Sequence, residues 1–135
     1  MDTLFLFALL VKHAFCDLYL QFKKVPLDKT RYLGECHLHY FDHAILTFMV
    51  SYLFLVPLEY CFLLSGIDYV LHWHIDYIKT KVMKFLKIEN SSLTYWLFQT
   101  FDQILHYGTY LLIVYVAANG YSPQHVFEKL ISFCS

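Results

Sequence analysis

Histidine and aspartate side chains recur at a spacing of four residues in four separate stretches of an otherwise apolar sequence. The four pairs are His13/Asp17, His39/His43, His72/Asp76 and Asp102/His106. In an α-helix this spacing places both members of a pair on one face. Imidazole and carboxylate are ligands of zinc, manganese and iron, and such a pair can offer two ligands to one ion. The eight residues therefore predict a site for a divalent metal.

Eight ligands exceed what one tetrahedral ion needs. The sequence therefore predicts either two ions, or one ion with the remaining members orienting its ligands or carrying protons. Zinc and manganese suit this ligand set best. Haem is disfavoured, because the aspartates would bring charge into a pocket that must be apolar.

Long apolar stretches carry these pairs. They cover about residues 4–22, 37–56, 58–86 and 93–118. About 20 residues span the hydrocarbon core of a bilayer as an α-helix. A last segment, about 123–133, has apolar residues at helical spacing, which predicts a short amphipathic helix on the membrane surface. The predicted fold is all-α, with residues 1–135 forming one domain: a transmembrane four-helix bundle with a short C-terminal amphipathic helix.

The composition favours a membrane protein and argues against nucleic-acid binding. Hydrophobic residues make up 59% and charged residues 16% of the chain, and the mean hydropathy is +0.47. About a quarter of a soluble domain is charged. The net charge of −1 provides no basic field for nucleic acid. The four cysteines show no zinc-finger or redox spacing, and the N-terminus lacks the basic region of a removable signal peptide.

The basic residues predict the orientation of the bundle. Most of the ten Lys and Arg residues lie in or beside the first and third connectors: Lys23, Lys24, Lys29, Arg31, Lys79, Lys81, Lys84 and Lys87. In a chain with four spans, these connectors lie on one side, which the positive-inside rule makes cytoplasmic. Both termini are then expected outside.

Antiparallel packing is expected to bring the four pairs to one depth. His43 and His72 lie almost equally far from the turn at Pro57, and Asp76 and Asp102 are similarly distant from Asn90. Ionisable residues that converge within a membrane indicate a functional site. The alternative is a hydrogen-bonded network that only holds the helices together.

Other polar residues are placed at the margin of this site. Lys79 continues the stripe of His72, and Asp68 precedes His72 by four residues and is held in reserve as a further member. Three histidines are expected outside the site, because they lie on other faces or in the tail: His37, His74 and His125.

The ordered motifs resemble a family of small bacterial and phage membrane proteins catalogued as a domain of unknown function, number 3307. The motifs are His13-x3-Asp17-x3-Gln21, His39-x3-His43, His72-x3-Asp76-x2-Lys79 and Asp102-Gln103-x2-His106. The resemblance covers about residues 4–115 and leaves the C-terminal tail outside. It implies the same topology and site in a bacterial or host inner membrane, but it supplies no reaction, since the family has no established activity.

The leading functional hypothesis is a membrane-embedded, metal-dependent hydrolase at the cytoplasmic leaflet. Asp17 or Asp76 would act as general base beside the ion. Lys79, with Lys23 and Lys24, would hold the anionic headgroup of a lipid or phosphoester substrate.

Two alternatives belong to other classes. The polar stripe could conduct ions or protons, or the chain could be an interaction protein that docks on other membrane proteins. A conductor needs a polar path through the whole bundle, whereas residues 47–64 and 111–118 are almost wholly apolar. This pattern favours a site over a channel.

Overall fold

The described part of the chain, residues 2–20 and 29–120 in a computed structural model, is helical and contains no β-strand. Its elements are α1 (Asp2–Phe15), a π-helical segment that continues α1 (Cys16–Leu20), α2 (His37–Leu53), α3 (Leu58–Phe85) and α4 (Leu93–Gly120). The predicted all-α class with four long helices is confirmed. The surface helix predicted at about 123–133 lies outside the described residues.

The helices form a closed ring with alternating directions. α2 packs on α3, α3 on α4, and α1 on both α2 and α4. Phe5 of α1 lies 5.1 Å from Phe54 between ring centroids. Val56 and Ala117 share one hydrophobic cluster with Phe5. The start of α1, the turn at Pro57 and the end of α4 therefore lie together, at what we call the Pro57 end. The opposite end is the connector end.

The α2–α3 turn explains why α2 ends before residue 56. Leu55 adopts a positive φ of 60°, and the Val56 amide donates to the Ser51 carbonyl at 3.1 Å. This bond across six residues, with a left-handed residue inside it, is the Schellman arrangement that ends many helices. Pro57 then gives α3 a start that needs no amide hydrogen.

α4 begins as predicted and runs slightly further. The Ser92 hydroxyl oxygen accepts the Tyr95 amide at 3.1 Å, which satisfies one of the free donors at a helix start. At the other end, the Asn119 side chain donates to the Tyr115 carbonyl at 2.8 Å within the helix. The helix therefore continues past residue 118 to Gly120.

Burial is inverted relative to a soluble protein. As many buried residues are polar or charged as are hydrophobic; the polar set is Lys12, His13, His39, His43, Thr47, Ser51, Asp68, His72, Asp76, Asp102, His106 and Thr109. Large hydrophobic side chains instead cover the outer faces, as with Leu18 at 77% exposure and Leu53 at 75%. Charged residues are almost never fully buried in soluble domains unless they are paired.

One helix among the described residues, Thr3–Leu20, is long and apolar enough by composition to cross a membrane. α3 and α4 are longer, but they include Asp, His and other polar side chains that lower their mean hydropathy. α2 is slightly shorter, at 17 residues.

The interior divides into two layers along the bundle. At the Pro57 end it is filled by a hydrophobic cluster of Phe5, Leu9, Val56, Cys61, Leu64, Tyr110, Ile113 and Ala117. The histidines and aspartates fill the half nearer the connector end. The polar layer therefore gives way to a mostly apolar layer, in which Ser51 is also buried.

Candidate metal centre

All five paired histidines meet in the interior, with His72 at their centre. Ring centroids lie 3.8 Å from His72 for His43, 4.0 Å for His106, 5.3 Å for His39 and 5.5 Å for His13. All five side chains are buried. The convergence expected from antiparallel packing is therefore present.

Two sets of side chains have ligand atoms close enough to hold an ion. One comprises Asp17, His39, His43 and His72, the other His72, Asp76 and His106, and within each set the atoms lie within 4.8 Å of one another. His72 belongs to both sets. Since one imidazole nitrogen binds one ion, either a single ion uses members of both sets, or the two nitrogens of His72 serve two ions.

Unpartnered nitrogens in the cluster fit a metal ligand. Neither ring nitrogen of His39 has a hydrogen-bond partner within residues 2–20 and 29–120, and the same holds for Nδ1 of His72. Leaving a buried polar atom unpaired costs about 1–3 kcal/mol. A bound cation would satisfy such a lone pair. His39 and His72 are therefore the clearest ligand candidates.

Asp17 is the one member of the first set whose side chain reaches the surface. Its side chain is 26% exposed, and its Oδ1 lies 3.1 Å from His43 Nε2 and 3.4 Å from His39 Nε2. Its Oδ2 lies 3.3 Å from His13 Nε2. Asp17 belongs to the π-helical segment, a backbone form that occurs often at functional sites.

Asp76 lies between two lysines and two histidines. Lys29 donates to Oδ2 at 2.5 Å, and Lys79 Nζ lies 3.7 Å from Oδ1. His72 Nε2 and His106 Nε2 each lie 3.7 Å from a carboxylate oxygen of Asp76. Lys29 was predicted only as a basic connector residue. No local spacing links it to α3, so the sequence held no signal for this contact.

Lys79 and Asp102 form an ion pair beside the second set. Lys79 Nζ donates to Asp102 Oδ2 at 2.8 Å and to Gln99 Oε1 at 3.1 Å. Asp102 Oδ1 lies 3.6 Å from His106 Nε2. Asp102 thus borders the ligand sets without belonging to either. Lys79, predicted to hold an anionic headgroup, is engaged by Gln99 and by the carboxylates of Asp76 and Asp102.

Both ring nitrogens of His13 have hydrogen-bond partners. Its Nδ1 lies 3.0 Å from the Tyr110 hydroxyl and its Nε2 lies 3.3 Å from Gln103 Oε1. An amide oxygen only accepts, so Nε2 carries the hydrogen and Tyr110 donates to Nδ1. Neither nitrogen is then open to an ion. Partners of this kind orient the ligands of metal sites.

A second buried ion pair lies between the cluster and the hydrophobic layer. Lys12 donates to Asp68 Oδ2, and the Thr47 hydroxyl donates to the same oxygen at 2.5 Å. Lys12 also contacts His43. Lys12 was not predicted as a site residue, although its position one residue before His13 in an apolar stretch was a usable signal. Asp68, held in reserve from the sequence, joins the polar layer.

The histidines expected outside the cluster are outside it where they are described. His37 Nδ1 lies 2.6 Å from the Tyr69 hydroxyl, and His74 Nδ1 donates to the Val70 carbonyl at 2.6 Å. The remaining predicted residues, Gln21, Lys23, Lys24 and His125, fall outside the described part of the chain.

The chain belongs to the family described as "Protein of unknown function (DUF3307)", whose model matches residues 5–134. The match includes the C-terminal tail, so the expectation that the tail lies outside the family was wrong. The motifs that indicated the family all fall within the matched range. No curated protein and no solved structure matches the chain.

Proposed function

We propose that this DUF3307 protein is a helical membrane protein whose His/Asp cluster binds a divalent metal and hydrolyses an ester or phosphoester of a membrane lipid at the cytoplasmic leaflet. The observation that carries the proposal is the meeting of unpartnered histidine nitrogens and aspartate oxygens around His72, inside a bundle with an apolar exterior.

The membrane location is supported by the inverted burial. A soluble bundle would expose its charges and bury residues such as Leu18, Leu53 and Phe85, whereas these side chains face outwards here. An apolar exterior of this extent must be covered by lipid or by a partner protein. Lipid accounts for the exposure on all four helices at once.

The hydrophobic layer at the Pro57 end favours a one-sided site over a conducting path. Thr47, Asp68 and Lys12 extend the polar layer beyond His43. Leu9 and Leu64, both fully buried, then close the interior toward the Pro57 end. Solvent and substrate would therefore enter from the connector end, beside Asp17. This favours the hydrolase over the ion or proton conductor.

The residues divide the chemical work. Asp17, His39 and His72 would hold a divalent ion, which would supply Lewis-acid activation of water and of the scissile group. Asp76, whose Oδ2 lies 3.7 Å from His72 Nε2, takes a proton from the attacking water and returns it to the leaving alcohol oxygen. Lys79 would contact the anionic group of the substrate by giving up its hydrogen bond to Gln99. The hydrophobic cluster at the Pro57 end excludes bulk water from that side of the site.

Cysteine labelling tests the orientation. Glu59→Cys at the Pro57 end and Asn90→Cys at the connector end both replace exposed residues. Cys16, Cys36 and Cys61 are buried, so a Cys134→Ser background gives a low blank. An impermeant maleimide is expected to label position 59 in intact spheroplasts and position 90 only after permeabilisation. Both must react in detergent. Labelling of position 90 in intact spheroplasts would show the orientation to be wrong.

Hydrolysis is tested on the purified protein in lipid nanodiscs. Phosphatidic acid and a prenyl monophosphate are the first substrates, because a lysine beside a divalent-metal site suits a phosphate. Phosphate release is expected with zinc or manganese, to stop with a chelator and to return when the metal is restored. A protein that binds metal but cleaves neither lipid phosphates nor carboxylic esters would leave the metal centre standing and refute the hydrolase.

A further inference from the structure

We infer that Lys12 is a positioning residue that fixes the tautomer of His43, so that His43 holds the Asp17 carboxylate in place and does not itself bind the metal. The inference rests on the proposed metal centre for its consequence, but its core concerns a hydrogen-bond arrangement that exists without metal.

Lys12 has an acceptor for each of its three N–H donors. Its Nζ lies 3.1 Å from the His43 carbonyl oxygen and 3.3 Å from His43 Nδ1, and its third partner is Asp68 Oδ2. A lysine ammonium has no lone pair and can only donate. Nδ1 of His43 is therefore the acceptor. Lys12 is 5% exposed, so little water competes for these bonds.

This assignment fixes the other nitrogen of His43. A neutral imidazole whose Nδ1 accepts must carry its hydrogen on Nε2. That nitrogen lies 3.1 Å from Asp17 Oδ1 and donates to it. Nε2 then has no lone pair for an ion, and Nδ1 is occupied by Lys12. His43 therefore leaves the first ligand set, which becomes Asp17, His39 and His72.

His13 lies beside the other oxygen of Asp17, although its Nε2 hydrogen is donated to Gln103. Its Nε2 lies 3.3 Å from Asp17 Oδ2. Of these two histidines, only His43 therefore donates to the Asp17 carboxylate. Outer-shell bonds of this kind orient ligands, and their loss typically weakens metal binding about 10–100-fold.

The position of Lys12 is itself secured from three other helices. Asp68 of α3 pairs with it and receives the Thr47 hydroxyl of α2, and the Tyr110 ring of α4 lies 4.9 Å from Nζ. Lys12 belongs to α1. One side chain therefore couples the packing of four helices to the orientation of Asp17.

The test uses Lys12→Met combined with Asp68→Leu. Removing Lys12 alone leaves a buried carboxylate unpaired and can prevent folding, whereas replacing both partners with apolar residues is often neutral. The matched control is Thr109→Val, which removes a buried hydroxyl that donates to the Leu105 carbonyl of its own helix.

Two measurements are made on each protein in nanodiscs. ¹⁵N NMR of labelled histidines in metal-free protein reports the tautomer of His43, assigned from a His43→Gln variant. Wild type and Thr109→Val are expected to show hydrogen on Nε2, while the double variant loses this fixed form. Zinc affinity is then expected to fall about 10–100-fold in the double variant only.

Two results would contradict the role inferred for Lys12 and His43. A His43 tautomer unchanged in the double variant would overturn the role of Lys12. So would ¹¹³Cd coupling to His43, because it would show His43 to be a ligand. If wild-type protein binds no metal at all, the metal centre is wrong, and the tautomer measurement still decides whether Lys12 governs His43.

Discussion

Purified His72→Ala protein is expected to contain no bound metal, whereas wild-type protein contains about one or two divalent ions per chain. His72 is the only residue shared by the two ligand sets found among the described residues, so its removal damages both. Elemental analysis of protein purified without added ions measures the effect. His74→Ala is the matched control, because His74 lies on the same helix and bonds to the Val70 carbonyl outside the cluster.

Two outcomes would change this interpretation. Full metal content in His72→Ala would show that His72 is not the shared ligand. Wild-type protein that stays folded and takes up no zinc or manganese under any loading condition would favour the alternative in which the cluster only holds the helices together.

Asp76→Asn is expected to lower turnover by at least about 100-fold while the protein still folds and inserts. The amide keeps the shape of the side chain but cannot accept a proton as a base and carries no charge. Folding should survive because Lys29, 17% exposed, can turn toward water and Lys79 keeps its ion pair with Asp102. Initial rates in nanodiscs measure turnover, and circular dichroism measures helix content.

Glu59→Gln is the control for this substitution. It makes the same chemical change on the same helix, at an exposed position of the Pro57 end, and should leave the rate unchanged. If Asp76→Asn instead stops proton flux in liposomes while hydrolysis is absent from wild type, the conductor is favoured. Full biological activity of Asp76→Asn would mean that the carboxylate has no chemical role, which would favour an interaction protein.

Sequence spacing could predict the cluster because the rules involved are local. A pair at i,i+4 lies on one helix face. In antiparallel helices joined by a short turn, residues that are equally far from the turn lie at the same depth in the bundle. His43 and His72 show this, with ring centroids 3.8 Å apart. The all-α fold class, the four long helices and the convergence of the four His/Asp pairs all follow from such rules.

The contacts of Lys12 and Lys29 could not be obtained in the same way. Lys12 meets His43 and Asp68 on two other helices, and Lys29 reaches Asp76 from a connector. Which long, flexible side chain reaches which carboxylate depends on helix rotation and on connector path, and no local period encodes either. Whether a histidine nitrogen donates or accepts also depends on these partners. The sequence therefore could not separate candidate metal ligands from histidines that orient a ligand.

The π-helical segment was missed for a different reason. Cys16–Leu20 continues α1 without a glycine or proline to mark the change. A wider turn in the backbone depends on what it packs against, and the residue types alone favour an ordinary helix.

The inward-facing charges also bear on how the chain would enter a bilayer during synthesis. A helix released alone from the translocon presents every face to lipid, and an aspartate near its centre costs about 2.5–3.5 kcal/mol. α3 carries Asp68 and Asp76, and α4 carries Asp102. Pairing of Lys79 with Asp102 would offset part of that cost only once both helices are present. α3 and α4 should therefore leave the translocon together, as a hairpin that hides its own polar face.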